Sequence, residues 1–271
     1  MPVSDIAFAG SIPALYDRCL GPLQFEPFAI DLAERIAKFS PKSVLETAAG
    51  TGIVTVELVK QLGASVTIHA TDLNQPMLTI AAPKISSPNV FWQQADAQTL
   101  PFGDAEFDVL ACQFGVMFFP DKLKAYREAY RVLAPGGHFI FNVWDRLELN
   151  AFSDVVDQAV AACFPNNAPQ FFRRMPFGYF DTDTITGTLR EAGFEKITFE
   201  HVAKKSQGRT AEEVAFGLCQ GTPLRGEIET RDPQGLDKVT AQAASALKKR
   251  FGQGAIECSI QAIVFDAQRL A

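Results

Sequence analysis

The strongest candidate for chemistry in this sequence is a glycine-containing run between an apolar strand pattern and a helical pattern. Residues 44–52 read VLETAAGTG, and the run ends in Gly50-Thr51-Gly52. Glycine lets the backbone approach a ligand closely, and the helix that follows presents free N–H groups at the positive end of its dipole. The run therefore predicts a nucleotide-like ligand, although a tight strand-to-helix turn without a ligand needs the same residues.

A carboxylate at a second position favours the ligand. Asp72 ends the next predicted strand, 20 residues after Gly52, where a carboxylate accepts hydrogen bonds from the two ribose hydroxyls of a nucleotide. Such charge-assisted bonds contribute about 1.5–3 kcal/mol each. The alternative is that Asp72 caps the following helix, but Asn74 is an equally good cap. We therefore expect Asp72 to bind the ligand.

A third carboxylate points to adenine as the base. Asp96-Ala97 follows the third predicted strand and precedes the run QTLPF. A carboxylate there can accept a hydrogen bond from an exocyclic amine, while the next backbone N–H donates to a ring nitrogen. Aspartate is also common in turns, so this position carries weight only together with the other two.

Alternating strands and helices are predicted to hold these residues in place. Strand patterns occur at residues 43–46, 65–70, 90–93, 107–112, 138–144, 197–202 and 258–265, and helical patterns at 27–39, 53–62, from 74, from 121, and at 184–192. Strands that are apolar nearly throughout, separated by amphipathic helices, form a parallel sheet covered on both faces. Right-handed crossovers put the strand C-termini along one edge, where ligands bind at the reversal of strand order. The predicted fold is α/β, a doubly wound, mostly parallel, seven-stranded sheet with a helical cap.

Together these residues resemble the class I S-adenosylmethionine-dependent methyltransferases, which have a Rossmann-like fold. The resemblance is strongest to the branch with ubiquinone and menaquinone C-methyltransferases, and it covers about residues 40–145. Besides the glycine run and the carboxylates, it rests on LPF at residues 100–102, on Phe107-Asp108, and on RVLAPGG at residues 131–137. An early Tyr16-Asp17 pair is similar to the N-terminal segment that closes over the cofactor in that branch. The resemblance implies S-adenosylmethionine as the methyl donor.

Carried over position by position, the resemblance implies a role for each residue of the cofactor site. Glu46 and the glycine backbone would serve the methionine end, Leu73 would pack on the adenine, and Gln113 would line the space towards the acceptor. The implied cofactor-binding residues are Tyr16, Glu46, Ala48, Gly50, Thr51, Gly52, Asp72, Leu73, Asp96, Ala97, Gln113 and Phe114. Ala48 departs from the family pattern, since glycine is frequent there. With a negative φ alanine still permits close approach, so we expect a slightly shifted loop that retains binding.

The rival interpretation of the same βαβ geometry is an NAD-dependent oxidoreductase. A dinucleotide site requires G-x-G-x-x-G so that the pyrophosphate sits on the helix N-terminus, but residues 50–55 read GTGIVT. Glu46 would repel a pyrophosphate, whereas a sulfonium that carries an α-amino group tolerates an acid. The charge therefore favours S-adenosylmethionine. A non-catalytic protein that binds S-adenosylmethionine without turnover is a further alternative.

Methyl transfer from a sulfonium requires little chemical assistance from a protein side chain. The sulfonium methyl is already activated, so the protein has chiefly to align a nucleophile opposite the sulfur, which is worth up to about 7–11 kcal/mol. A general base is needed only if the nucleophile arrives protonated. The three histidines are expected to be structural. By analogy alone, the candidates for a base are Tyr16, Tyr179 and Asp145.

The small-molecule substrate is expected under an aromatic-rich block, residues 147–180. The aromatic side chains there either line a water-excluding pocket or form the core of a small helical cap. Arg173-Arg174 either bind an acid or phosphate on the substrate or lie on the lid surface. Met117 either forms the pocket floor or packs under the next helix. The candidate substrate residues are Met117, Trp144, Phe172, Arg173, Arg174 and Phe177.

The chain length of 271 residues suits one large domain, or a core with a smaller cap. We predict four segments. Residues 1–40 form an N-terminal helical segment closing over the cofactor, and residues 41–146 form an S-adenosylmethionine-binding core. Residues 147–181 form the aromatic lid, and residues 182–271 form the C-terminal half of the core, with a helical insertion at about 206–253. The lid and the insertion are expected to cover the sheet edge.

Composition excludes several classes of protein. The net charge of −6 and the sequence pI near 5.2 argue against nucleic acid as a partner. No apolar run approaches the roughly 18–20 residues that insert across a membrane, and the N-terminus is unlike a signal peptide. The five cysteines are scattered, so neither a metal nor a disulfide is expected and a cytoplasmic location fits. A homodimer is left open.

Overall fold

The computed structural model of the chain describes residue 8 and residues 10–270. These residues form two compact units. The sheet unit consists of Phe28–Val143, Tyr179–Val202 and the described residues from Ala262 onwards. The helical unit consists of the described residues as far as Pro27, together with Trp144–Gly178 and Ala203–Gln261. The segment boundaries after residues 40, 146 and 181 stay predictions.

Most residues of a seven-stranded sheet belong to the sheet unit. Its strands are β1 Ser43–Glu46, β2 Thr67–Asp72, β3 Val90–Gln94, β4 Phe107–Gln113, β5 Leu133–Trp144, β6 Lys196–Gly208 and β7 Ile256–Gln268. Their order is β3-β2-β1-β4-β5-β7-β6, and the pairs β1–β2, β1–β4, β2–β3 and β4–β5 are parallel. Strand order reverses between β1 and β4, which is where doubly wound sheets bind their ligands. The predicted seven-stranded α/β fold is confirmed.

β7 runs antiparallel to β5 and makes the sheet a mixed one. Gly136 N–H donates to Arg269 O at 2.8 Å, and Asp145 N–H donates to Gln261 O at 3.1 Å. The partner numbers in β7 fall as the numbers in β5 rise, so the two strands run in opposite directions.

β5 starts earlier than the sequence predicts. It begins at Leu133 rather than at residue 138. A register shift between Phe107 and Val109 lets β4 pair with Leu133 before the run at residues 134–137. The run Ala134-Pro135-Gly136-Gly137 is therefore an irregular, bulged part of the strand.

Helices occur in both units. They are α1 Ile12–Leu15, α2 Glu26–Ala37, α3 Ile53–Leu62, α4 Gln75–Ala81, α5 Lys122–Val132, α6 Ala151–Cys163, α7 Phe171–Arg174, α8 Thr182–Glu191, α9 Ala211–Gln220, α10 Leu224–Arg231 and α11 Leu236–Phe251. A π-helical stretch covers Tyr16–Phe25, and single 3-10 turns cover Ala82–Lys84, Val116–Phe118 and Leu147–Leu149. The helical spacing of Phe28, Leu32 and Ile36 turns one side of α2 inward, and all three side chains are buried. Within the helical unit, α11 packs against α6 and α9.

Candidate functional site

The glycine run forms a tight loop between β1 and α3. Gly52 N–H donates to Ala49 O at 2.9 Å. Gly50 and Gly52 have a left-handed backbone, with φ of 57° and 79°. A Cβ on Gly52 would lie 3.0 Å from the side chains of both Ala81 and Trp92, so position 52 requires glycine for its φ and for its space. α3 begins at the next residue, and its first N–H groups have no partner within the helix.

Ala48 has a left-handed backbone, so the negative φ that was the condition for close approach with alanine is not met. Its φ is 54°. The peptides on either side are fixed to neighbouring strands, since Thr47 N–H donates to Ala111 O and Ala49 N–H donates to Thr71 O, both at 2.9 Å. A left-handed backbone costs a non-glycine residue about 1–2 kcal/mol. The loop therefore holds strain at the position where the family pattern favours glycine.

The turn after β4 packs directly against this loop. A Cβ on Gly115 would lie 2.4 Å from the Ala48 Cβ and 2.6 Å from Cys112 Sγ, so glycine is required there. Burial raises the pKa of the Cys112 thiol to about 12, and the thiol is a neutral packing group at neutral pH. The close contact makes the ends of β1 and β4 one rigid surface.

Gln113 and Phe114 close β4 and are held by a residue that the sequence analysis missed. Phe114 has a left-handed backbone, with φ of 50°. Its N–H donates to Asn142 Oδ1 at 2.9 Å, and its ring meets Phe28 edge-on at 5.4 Å between centroids. Asn142 is fully buried in β5. A single asparagine inside the apolar run FIFNVW was the signal that could have identified it.

Glu46 is a buried carboxylate at the end of β1. It is 1% exposed, and its Oε2 accepts a hydrogen bond from Thr55 Oγ1 at 2.6 Å. Burial raises the pKa of Glu46 to about 8, the bond from Thr55 lowers it, and the charge of Asp72 raises it. Without a cation beside it, the side chain is mostly protonated at neutral pH. An ammonium group would favour the charged form.

Asp72 connects the glycine loop to the end of β2. Its Oδ2 accepts from Gly50 N–H at 2.8 Å, and its Oδ1 accepts from Asn74 N–H at 2.7 Å. Burial raises the pKa of Asp72, while these hydrogen bonds lower it. Oδ2 has capacity for a further bond, and at Oδ1 a ribose hydroxyl can replace the long bond of 3.5 Å from Asn74 Nδ2, so the group can still accept from a diol. Nor does the Asn74 side chain cap α4 as expected, because its Nδ2 turns to Asp72 Oδ1 at 3.5 Å.

The third carboxylate lies beside the second. Ala95 N–H donates to Asp72 O at 3.0 Å, which places Asp96 next to the end of β2. The Asp96 carboxylate accepts from Gln98 N–H at 2.8 Å and from Gln98 Nε2 at 3.1 Å. The alternative role in a turn is therefore confirmed, and the role towards adenine stays a prediction. Leu73 is 44% exposed, so its side chain is accessible to a planar ring.

Lys84 binds the glycine loop and was also missed. Its Nζ donates to Thr51 O at 2.8 Å. Thr51 is 1% exposed, and its hydroxyl has no hydrogen-bond partner within residue 8 and residues 10–270. A buried hydroxyl without a partner costs about 1–3 kcal/mol, which makes it a candidate to bind a polar group of the ligand. No local pattern marks Lys84, since 33 residues separate it from its partner.

Two predicted residues of the acceptor side lie in the sheet unit. Met117 is 2% exposed, and its carbonyl accepts from Lys122 Nζ at 3.3 Å. The Tyr179 hydroxyl lies 3.3 Å from the Tyr126 hydroxyl, and burial raises the pKa of Tyr179. The structure therefore favours packing for Met117 and a protonated hydroxyl for Tyr179 at neutral pH.

The histidines have structural surroundings. The ring of His69 stacks on Phe91 at 5.1 Å between centroids, and burial lowers the pKa of His69. His138 Nδ1 lies 2.7 Å from Asp266 Oδ1. His201 lies on β6, outside the strand ends that hold the glycine loop and the carboxylates.

Tyr16, Asp145 and the other predicted substrate residues lie in the helical unit, where aromatic rings contact one another in series. Tyr16 stacks on Phe25 at 4.8 Å between centroids. Trp144 lies 6.1 Å from Phe25 and 5.9 Å from Phe177. Phe172 meets Phe177 at 6.1 Å. The last four rings of this series are buried, as in the core of a small cap, which is the second of the two alternatives for the aromatic block.

Charged partners surround the other predicted residues of the helical unit. Arg173 Nε donates to Asp157 Oδ2 at 2.8 Å, and Arg174 Nη2 donates to Glu227 Oε1 at 2.6 Å. Both guanidinium groups therefore face a carboxylate, which favours a structural role over a site for a substrate anion. Asp145 is 3% exposed, and its role as a base stays a prediction.

Neither a metal centre nor a membrane-spanning helix is found within residue 8 and residues 10–270. No group of three His, Cys, Asp or Glu side chains in that part of the chain could hold a metal ion. None of its helices combines the length and the apolar character needed to cross a bilayer.

Comparison with known proteins identifies relatives of this chain. The ubiE/COQ5 methyltransferase family matches residues 28–211. The ubiquinone/menaquinone biosynthesis C-methyltransferase UbiE of Marinomonas sp. (strain MWYL1) is 31% identical over 176 residues, which cover 59% of this chain and 68% of that protein.

Solved structures share the fold at lower identity. The YcgJ protein of Bacillus subtilis matches with a TM-score of 0.55 at 19% identity, covering 89% of this chain and 99% of that one. A second match is the phosphoethanolamine N-methyltransferase 2 of Haemonchus contortus, whose structure is a complex with phosphomonomethylethanolamine and S-adenosylhomocysteine. The TM-score is 0.52 at 17% identity, and the match covers 97% of this chain and 61% of that one.

Proposed function

Because the chain belongs to the ubiE/COQ5 methyltransferase family and is an S-adenosylmethionine-dependent methyltransferase, we propose that it binds the methyl donor at the loop between β1 and α3 and transfers the methyl group to a small molecule. One observation carries the proposal for the site. Gly50 N–H and the Asp72 carboxylate are joined at 2.8 Å, with the buried Glu46 carboxylate at the base of the same loop. A loop that combines two buried acids with free helix N–H groups suits a cationic ligand with a diol.

The residues fit this cofactor in charge and in hydrogen bonding. Asp72 has acceptor capacity for both ribose hydroxyls. Glu46 offers a buried carboxylate to the α-amino group of the methionine part, and such a pair gains strength from the low surrounding polarity. The buried Thr51 hydroxyl is a donor for the methionine carboxylate. Leu73 and Asp96 complete the proposed site on the adenine side.

The chemistry needs alignment more than acid or base catalysis. S-adenosylmethionine supplies a methyl group that is already activated by the sulfonium. Gln113 and Phe114 lie at the end of β4, beside the glycine loop, and we propose that they line the path by which the acceptor approaches. Asn142 fixes the Phe114 backbone, so an acceptor that approaches along this path has fewer orientations available. Alignment of a nucleophile in this way contributes up to about 7–11 kcal/mol.

Carbon is the first candidate for the acceptor atom, and oxygen and nitrogen are the others. The support is the name C-methyltransferase that the relative from Marinomonas carries. A carbon nucleophile of a hydroxylated ring is activated when its hydroxyl loses a proton. Tyr16, Tyr179 and Asp145 stay predictions for that role, and the raised pKa of Tyr179 keeps its hydroxyl protonated at neutral pH, which argues against Tyr179 as the base.

The methyltransferase family match does not favour an NAD-dependent oxidoreductase, and Glu46 argues against it on charge. A pyrophosphate gains nothing from the protonated Glu46 and would oppose its ionisation in a medium of low polarity, whereas an ammonium group favours the charged form. Thermal unfolding with each ligand separates the two functions, because only a ligand that binds the folded state stabilises it. We expect S-adenosylhomocysteine to raise the melting temperature and NAD to leave it unchanged.

The proposed site is tested by calorimetry with S-adenosylhomocysteine. We expect Asp72→Ala to weaken binding about 10–100-fold, the equivalent of about 1.5–3 kcal/mol for a charge-assisted bond. Asp108→Ala is the matched control, because the Asp108 carboxylate accepts from the N–H groups of Lys42 and Ser43 at the opposite end of β1. Equal affinity of Asp72→Ala and the wild-type protein would remove Asp72 from the site.

The acceptor is identified by a screen with labelled S-adenosylmethionine. Candidate acceptors with ring carbon, hydroxyl and amine nucleophiles are supplied separately, and mass spectrometry reports which product carries the label. Binding of S-adenosylmethionine without any labelled product would favour the non-catalytic alternative. A cytoplasmic location and a homodimer are proposals that fractionation and light scattering test.

A further inference from the structure

Arg131 on α5 holds the chain segment that follows the third carboxylate. Its Nη1 donates to Phe102 O at 2.8 Å and to Asp104 Oδ1 at 2.9 Å. Its Nη2 donates to Leu100 O at 3.1 Å and to Glu128 Oε2 at 2.9 Å, and its Nε donates to Glu128 Oε1 at 2.8 Å. A guanidinium has five N–H donors, and all five are engaged here.

Glu128 completes the attachment from the same helix. Its Oε2 also accepts a hydrogen bond from Leu100 N–H at 2.7 Å. Leu100 therefore has its carbonyl bound to Arg131 and its N–H bound to Glu128. The guanidinium of Arg131 lowers the pKa of Glu128, which keeps the carboxylate charged. The geometry is that of a bidentate pair, which is more rigid than a pair of flexible surface charges.

The segment held by Arg131 leads directly back to Asp96. Thr99 N–H donates to Asp96 O at 2.9 Å, so the turn ends at the residue before Leu100. The same turn is attached to the start of α5, because Asp121 N–H donates to Gln98 Oε1 at 2.9 Å. Gln98 in turn donates to the Asp96 carboxylate. α5 therefore holds this segment near both ends of the helix. Asp121 at its start binds Gln98, and Glu128 and Arg131 near its end bind Leu100.

We propose that Arg131 is a positioning residue for recognition of the adenine, because it fixes the turn that carries the Asp96 carboxylate. The proposal rests on the proposed function, in which Asp96 accepts a hydrogen bond from the exocyclic amine of the cofactor. Arg131 touches neither the cofactor nor the acceptor in this scheme. Lysine cannot replace it, since an ammonium group lacks the planar fork that reaches Leu100, Phe102 and Glu128 together.

The test compares S-adenosylhomocysteine with its purine analogue, in which a hydrogen replaces the exocyclic amine and the ring nitrogens stay acceptors. Calorimetry measures the ratio of the two affinities, which reports on the contact with the amine and not on stability. We expect wild-type protein to prefer the adenine ligand by about 10–100-fold. Arg131→Met and Arg131→Lys should each reduce that preference at least about 5-fold. A loss of affinity shared equally by both ligands, with the preference kept, would overturn the proposal.

A matched control lies on the same helix. Arg127 makes one exposed ion pair with Glu191 at 3.5 Å, so Arg127→Met removes an arginine from α5 without touching the turn. We expect it to keep the preference of the wild-type protein. If Arg131→Met does not fold, Glu128→Gln removes the charge from the second half of the pair and should weaken the preference in the same direction.

Asp96→Ala separates failure of this inference from failure of the site, because it removes the acceptor oxygens. If Asp96→Ala abolishes the preference while both Arg131 variants keep it, Asp96 reads the amine and the positioning role is wrong. If Asp96→Ala keeps the preference, the contact between Asp96 and the adenine fails, and the inference fails with it. Binding of S-adenosylhomocysteine to the loop after β1 would still be measured by Asp72→Ala.

Discussion

Gly50 and Asp72 are joined by a hydrogen bond of 2.8 Å from the Gly50 N–H to Asp72 Oδ2, although 22 residues separate them in the chain. The bond connects the loop after β1 to the end of β2. The backbone proposed to face the methionine part and the carboxylate proposed to hold the ribose are therefore positioned by each other. A change at Asp72 alters the loop as well as the ligand contact, and the control residue Asp108 likewise binds main-chain N–H groups.

Glu46 is expected to make the unliganded protein less stable as the pH rises through the neutral range. Its pKa is about 8 in the folded protein and 4.5 as an ordinary carboxyl. Between these values the folded state holds a proton that the unfolded chain has lost, so the free energy of unfolding falls by up to about 1.4 kcal/mol per pH unit. Urea unfolding across this pH range measures the slope.

Glu46→Gln is the control for this slope, because the amide does not titrate. Asp72, whose pKa is also raised, adds a slope of the same sign in both proteins. The variant should therefore show a shallower fall of stability with pH. Identical slopes in the two proteins would contradict the raised pKa of Glu46.

Binding of S-adenosylhomocysteine is expected to release a proton between about pH 6 and pH 7.5. The α-amino group of the ligand favours the charged carboxylate of Glu46, so binding lowers the pKa of Glu46 from about 8. Affinity should therefore rise with pH over this range. Calorimetry in two buffers of different ionisation enthalpy counts the released protons, and Glu46→Gln should release fewer. The same release in both proteins would place the amino group away from Glu46.

Gly115→Ala is expected to destabilise the protein by about 1–3 kcal/mol, since the added methyl group would lie 2.4 Å from the Ala48 Cβ. It should also weaken S-adenosylhomocysteine binding, because the glycine loop must shift. Gly187→Ala on α8 is the matched control, with nothing within 4 Å of the new Cβ. Alanine favours a helix over glycine by about 1 kcal/mol, so the control should be neutral or stabilising in urea unfolding.

Ala48→Gly is expected to stabilise the protein, by up to about 1 kcal/mol, because glycine adopts the φ of 54° without the strain that alanine carries. Ala49→Gly is the control at the next position. Ala49 is buried and has no positive φ, so glycine there should destabilise by about 0.5–1 kcal/mol. Urea unfolding of the two variants should give changes of opposite sign, and the same sign would argue against strain at Ala48.

Residues that pair over long distances account for most of what the sequence analysis missed. Asn142 binds Phe114 across 28 residues, and Lys84 binds Thr51 across 33 residues. A lysine and an asparagine at such positions look like many others on a strand or at a helix end. Of the two, only Asn142 is recognisable in the sequence, as a polar residue inside an apolar strand.

The sequence by itself determined the alternation of strands and helices, the glycine loop and the carboxylates at the strand ends. These features depend on local spacing and on the conformational range of glycine, which neighbouring residues decide. Only the tertiary structure decided the left-handed φ of Ala48, the lost cap at Asn74 and the five bonds of Arg131. The peptides beside Ala48 bind two neighbouring strands, Asn74 turns to an Asp72 carboxylate that the glycine loop holds, and three of the five Arg131 bonds reach a segment about 30 residues earlier. Such partners are determined by packing rather than by position along the chain.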